Sequence, residues 1–256
     1  MKLTKKGFTL VELLVVIGIL GILMGALFPA ITSAMIKANM SACSMRGRNL
    51  FVAITSANTE REAAGLGSVW PRTQAAEAGA AGGDKDISEN GYSSAYMYFN
   101  DLFDVKDMNK PEEWSPFVTG VDLTCLSGAG VAPVAAGSEL VANNVGWCVG
   151  ANVQDELEDI VPILVSRNIN CGELLKEYAS GRDKVGLGKA GGSQYNTPFG
   201  NKGYVIIRKG GGVISMTAKY STTDVIYNKQ VFKMPEASEE YQAFTYLTPD
   251  STQSPK

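Results

Sequence analysis

Histidine is absent from this chain, and several other residue types are thin where chemistry usually concentrates. Without histidine there is no Ser-His or Cys-His nucleophile pair, no imidazole-ligated zinc, and no side chain that titrates by default near neutral pH. An enzyme built on this sequence would need carboxylates, a lysine base or a bound metal. Basic runs are missing too. Beyond Lys5-Lys6 no cluster of Lys or Arg stands out, and the net charge is −3, which argues against a nucleic-acid partner held by a basic patch. Cysteines are few: Cys43, Cys125, Cys148 and Cys171. None has CxxC spacing, which argues against a thiolate metal site. Cys125 and Cys148 enclose 22 residues and are the pair expected to form a disulfide if this region lies outside the cytoplasm. Cys43 falls in a helical pattern and reads as a small apolar packing residue.

The remaining chemical motifs also fail. Asp101, Asp104 and Asp107 form one acidic cluster, and Asp155, Glu156, Glu158 and Asp159 another. Neither has the central glycine and terminal glutamate of an EF-hand, so both read as solvated acidic faces. Gly186, Gly188 and Gly191 satisfy GxGxxG, but the "GSQYNTPFG" that follows is turn-like where a dinucleotide site needs a helix. No catalytic residue, metal site or cofactor is expected.

The apolar residues are concentrated at one end. From Leu13 to Phe28 no side chain carries a charge, hydroxyl or amide, and Lys2, Lys5 and Lys6 precede the run. A secretory signal peptide would end in a small-residue cleavage site beyond the run, yet the helical pattern continues past Ala30 and Ala34. A plain membrane anchor fits the length: Phe8 to Phe28 spans roughly 30 Å as a helix. The lysines would hold that end in the cytoplasm. A plain anchor leaves Glu12 unexplained, because an acid in a bilayer costs about 2.5–3.5 kcal/mol and generally has a partner.

The stretch "KKGFTLVEL" resembles the processing site of type IV pilins and type II secretion pseudopilins. The resemblance covers the first 50–60 residues. It implies a leader, Met1–Gly7, removed by a prepilin peptidase that cuts between Gly7 and Phe8 and methylates the new amino terminus of Phe8. Glu12 occupies the family's acidic position, the fifth of the processed chain, where it would pair with the Phe8 amine of a neighbouring subunit. Pro29 lies where many members carry a helix-kinking proline. The implied protein is a structural subunit rather than an enzyme. Its partners would be prepilin peptidase, other copies and other pilin-like subunits, an inner-membrane assembly platform and membrane lipid. The alternative is a membrane-anchored periplasmic binding domain or enzyme that never polymerises.

The organisation expected from this reading is a leader at 1–7, a membrane and polymerisation helix at 8–30, an amphipathic continuation at 31–64 and a globular head at 65–256. Along the continuation, helical spacing yields two apolar seams. One holds Ile31, Ala34, Ala38, Ala42, Met45 and Val52; the other holds Ile36, Met40, Cys43, Leu50, Phe51 and Ile54. A helix on one domain needs a single seam, so two roughly opposed seams predict two partners. Residues 65–90 read as a loose connection in which Trp70-Pro71 docks on the helix. Short helices are expected at 94–103 and in "CGELLKEYASG". "VGWCVGANV" and "DIVPILVSR" read as strands, the second an edge strand because of Pro162. "GYVIIRKGGGVISMTAKY" reads as a β-hairpin turning at Gly210–Gly212. The sum is an α+β fold: a long helix packed on an antiparallel sheet.

Overall fold

A computed structural model describes residues 9–73, 91–103, 123–127, 140–153, 157–172, 174, 185–187, 197, 199–218, 222–223 and 244–249. Helix α1 runs from Leu10 to Ala63 and continues through Pro29. It stops where the chain needs a left-handed residue. Gly65 has φ +72°, Leu66 N–H donates to Arg61 O at 2.9 Å and Gly65 N–H to Glu62 O at 3.0 Å. These bonds satisfy carbonyls the last turn would otherwise leave open. The chain is then turned back along the helix. Asn58 Oδ1 accepts from Ser68 Oγ and from Val69 N–H, which seats buried Val69 and half-buried Trp70 against α1 and the core.

The other elements, in chain order, are β1 (Arg72–Thr73), β2 (Gly91–Tyr92), α2 (Ala95–Phe103), α3 (Thr124–Ser127), β3 (Trp147–Ala151), β4 (Pro162–Ser166), β5 (Val185–Gly186), β6 (Gly203–Arg208), β7 (Val213–Thr217), β8 (Thr222–Thr223) and β9 (Thr245–Leu247). Five of these strands form an antiparallel sheet in the order β7-β6-β4-β3-β9. The fold is therefore α+β, and the β6–β7 hairpin turns where glycines 210–212 place it; Gly211 has φ +77°.

Two details depart from the sequence reading. β4 is the central strand, not an edge. Pro162 is tolerated because it is the first residue of β4 and the register shifts immediately after it, between Pro162 and Leu164. The sheet is also covered on both faces. Trp147, Val149, Leu164, Val205, Ile207 and Leu247 point to an inner core with α1, α2 and α3. Their neighbours Cys148, Val165, Tyr204, Ile206 and Tyr246 point to an outer core that includes Ile169, Cys171, Leu174 and Leu187. Two-sided burial explains why "PILV" and "YVII" are continuously apolar rather than alternating. Of the helix expected at 171–181, Cys171, Gly172 and Leu174 are helical and the rest lies outside the described residues.

Helix and sheet approach closely at two glycines. A Cβ on Gly47 would stand 2.7 Å from Trp147 Cζ2, and one on Gly203 would stand 2.8 Å from Met40 Cε. Trp147 cannot retreat easily, because its Nε1–H donates to Cys125 O at 3.0 Å and so ties β3 to α3.

Gly47→Ala should destabilise the full chain in detergent by up to about 2 kcal/mol in a denaturant titration. Overpacking of roughly 1–3 kcal/mol outweighs the helix-propensity gain of about 1 kcal/mol. In a Trp147→Phe background the Gly47→Ala loss should shrink, because the clashing ring is smaller; equal losses in both backgrounds would refute the contact. Asp101 in α2 supplies a pH test. Burial holds its carboxyl above the ordinary aspartate value, with Tyr92 opposing through a hydrogen bond. A raised acid binds more protons folded than unfolded, so stability falls as pH climbs from the ordinary aspartate value through the raised one. Asp101→Asn should flatten that part of the stability–pH curve.

Candidate processing and assembly site

The amino-terminal site is built on the first turns of α1. Thr9 is the N-cap, with φ −82° and ψ 149°, and Glu12 is the third helical residue. The two close a capping box. Thr9 N–H donates to Glu12 Oε2 at 2.9 Å, Thr9 Oγ1–H donates to the same oxygen at 2.7 Å, and Glu12 N–H donates to Thr9 Oγ1 at 3.3 Å. Glu12 is thus not a bare acid at the end of an apolar helix. Its carboxylate already accepts two hydrogen bonds from its own chain, and it sits where the positive end of the helix dipole favours it. The T-x-x-E spacing of "TLVE" carries this signal in the sequence, and the reading that singled out Glu12 overlooked Thr9.

The expected cleavage residues Gly7 and Phe8 lie outside the described residues. Pro29 lies inside α1. Around it the side chains supply extra bonds: Thr32 Oγ1 donates to Phe28 O at 2.9 Å and Ser33 Oγ to Pro29 O at 3.0 Å. The same bonds to the fourth residue back recur at Ser44, Thr55 and Thr59, so they do not single out the proline.

The apolar part of α1 is uncovered. Leu10 is 80% exposed and Phe28 73%, and the most apolar window of the helix has no buried residue. Gly18, Gly21 and Gly25 face open space. Further along the two seams separate, except at Ala42, which packs against the inner core. Met40, Cys43, Leu50 and Ile54 are buried against the sheet with Ile36 and Phe51 beside them. Ile31, Ala34, Ala38, Met45 and Val52 are exposed, and Ala42 is half-buried.

Cys125 and Cys148 are not brought together. All four cysteines are buried and unbridged. Cys125 lies in α3 in the inner core, whereas Cys148 points to the outer core, so the sheet stands between them. The pairing expected from spacing is corrected by the direction in which Cys148 leaves β3. Among the acidic clusters, Asp101, Glu158 and Asp159 are described, and no group of three potential metal ligands occurs among the described residues. Of the GxGxxG glycines only Gly186 is described; it lies in β5.

Residues 2–28 match the family model of the prokaryotic N-terminal methylation motif. With the long apolar amino-terminal helix, this match is consistent with a type IV pilin-like protein. The motif supports a prepilin-like substrate of prepilin peptidase, on a match that covers only the amino-terminal end of the chain. No curated protein and no solved structure matches the chain.

Thr9→Ala removes a side-chain cap and should cost about 1 kcal/mol locally. In micelles this should appear as a roughly fivefold rise in amide exchange over the first turn of α1, with Thr9→Ser near wild type. Unchanged exchange in Thr9→Ala would show that the capping box contributes nothing.

Proposed function

We propose that this chain is a prepilin-like structural subunit of a type IV pilus or type II secretion pseudopilus. The chain divides into a leader at 1–7, a membrane and polymerisation helix at 8–30, its amphipathic continuation at 31–64 and a head at 65–256. Prepilin peptidase cuts after Gly7 and methylates Phe8. The subunit crosses the inner membrane once, with its amino terminus in the cytoplasm and its head outside. An assembly platform in that membrane draws it into a filament through α1.

One observation carries this reading: an N-terminal methylation motif at residues 2–28 runs into a helix whose apolar portion its own head leaves bare. Leu10 to Phe28 reaches roughly 28 Å as a helix, close to a hydrocarbon core of about 30 Å. Lipid covers that surface before assembly and neighbouring helices cover it afterwards. The seam of Ile31, Ala38, Met45 and Val52 continues the bare surface past the membrane, while the opposite seam is already occupied by the sheet. A monomeric anchored enzyme has no use for that second seam.

Pairing between Glu12 of one subunit and the Phe8 amine of the next supplies the axial register. Either charge alone in an apolar bundle is costly, and breaking a buried pair costs roughly 3–5 kcal/mol.

Mass spectrometry of the processed chain, expressed with its peptidase, should find N-methyl-Phe8 as the first residue. A chain that retains Met1 or Lys2 would contradict the proposal. Glu12→Leu should insert in the membrane normally yet yield no filaments by electron microscopy. Wild-type filament numbers from that variant would rule out the pairing.

A further inference from the structure

Cys148 and Cys171 meet in the outer core. Cys148 is the second residue of β3, and its side chain leaves the sheet on the face opposite Trp147 and Val149. Cys171 opens the helical turn after β4, placed there by Leu174 N–H donating to Asn170 O at 2.9 Å. Each is 1% exposed, and both share one cluster with Val165, Ile169, Leu174 and Tyr204. Cys148 is the group that acts most strongly on the Cys171 thiol, which also reaches Ile169 O at 3.8 Å. Cys43 and Cys125 lie across the sheet in the inner core, so neither competes for either partner.

We propose that Cys148 and Cys171 form the disulfide of the exported head, fastening the turn after β4 onto β3. The step is a dithiol oxidation. The two thiols lose two protons and two electrons, one S–S bond forms, and a disulfide-bearing oxidant of the extracytoplasmic compartment is reduced to two thiols. Its timing follows from the burial. The neighbouring Cys148 and the loss of solvent both push the Cys171 thiol well above its usual value. A folded chain therefore offers little thiolate for exchange. The bond closes during folding, before the outer core seals, and then resists reductants for the same reason. It encloses residues 149–170, which contain β4 and most of β3, so it constrains the unfolded chain where the central strands must find each other.

The inference rests on the outward-facing head. The test is made on the full chain, exported from cells and alkylated under acid quench. Digestion with trypsin and a glutamate-specific protease separates Cys125 from Cys148 at Glu139, and Cys148 from Cys171 at Glu156 and Arg167. The expected product is a reducible link between the peptides 140–156 and 168–173, with Cys43 and Cys125 alkylated. Reduction should then lower the Tm of the wild-type chain by about 5–10 °C. Cys148→Ser, Cys171→Ser and the double variant should each show that same loss and no further response to reductant.

Alkylated Cys148 and Cys171 in a head that external protease removes from spheroplasts would overturn the disulfide, as would a link from Cys148 to Cys125. Alkylated thiols in a protease-protected head would overturn the outward-facing reading instead. Oxidation of the detergent-solubilised chain with diamide then decides the pair itself: a 148–171 link upholds it, and none refutes it.

Discussion

The Trp147 ring seated against Gly47 sets how far α1 stands from the sheet. Much else in the head depends on that distance. Because Trp147 is held by Cys125 O, the ring is a fixed spacer rather than a compliant one. With a side chain at position 47 the helix would ride outward, and Met40 would lose its seat over Gly203. Leu50 and Ile54, both fully buried, would be partly lifted from the inner core. Close helix–sheet contact is therefore obtained by deleting a side chain on the helix opposite a large one on the sheet. Interiors packed at crystal-like density leave little room for any other arrangement at that point.

That docking decides what α1 has left to offer. The sheet occupies one seam and leaves the opposite seam bare, continuous with the membrane-length portion. An isolated head would gain nothing from keeping Met45 at 67% and Val52 at 54% exposure. On the proposed function those residues extend the contact surface from the bilayer into the space outside. The head and the filament then read the same helix from opposite sides.

Much of this was legible in the sequence, and the failures have definite causes. The long helix, its end near residue 64, the two seams, the β6–β7 hairpin and the α+β class all follow from periodicity and glycine placement, which are local signals. The misplacement of β4 came from treating Pro162 as a mid-strand residue. It is a first residue next to a register shift, and strand boundaries are hard to read from an apolar run buried on both faces. The cysteine pairing failed for a sharper reason. Cys125–Cys148 and Cys148–Cys171 enclose loops of equal length, so spacing contains no preference between them. The alternation of β3, which sends Trp147 inward and Cys148 outward, sets Cys148 apart from Cys125. That parity is visible only once Trp147 is known to face α1.

Thr9 is legible in the sequence only through the T-x-x-E spacing, which speaks of what holds Glu12 beforehand and not of what it pairs with later. The capping box offers Glu12 two donors from its own chain, one a backbone N–H and one a hydroxyl. Exposed capping bonds of this kind are worth about 1 kcal/mol, whereas a buried ion pair resists breaking by roughly 3–5 kcal/mol. On the proposed function the two arrangements form an ordered exchange. The cap makes the acid tolerable in a subunit waiting in lipid. The amine of a neighbouring Phe8 then outcompetes it, because only the amine also relieves its own charge. The leader must be gone for that to happen, since Phe8 has no charged amine while Gly7 is attached. Processing thus converts a self-satisfied helix end into one that gains by meeting another copy.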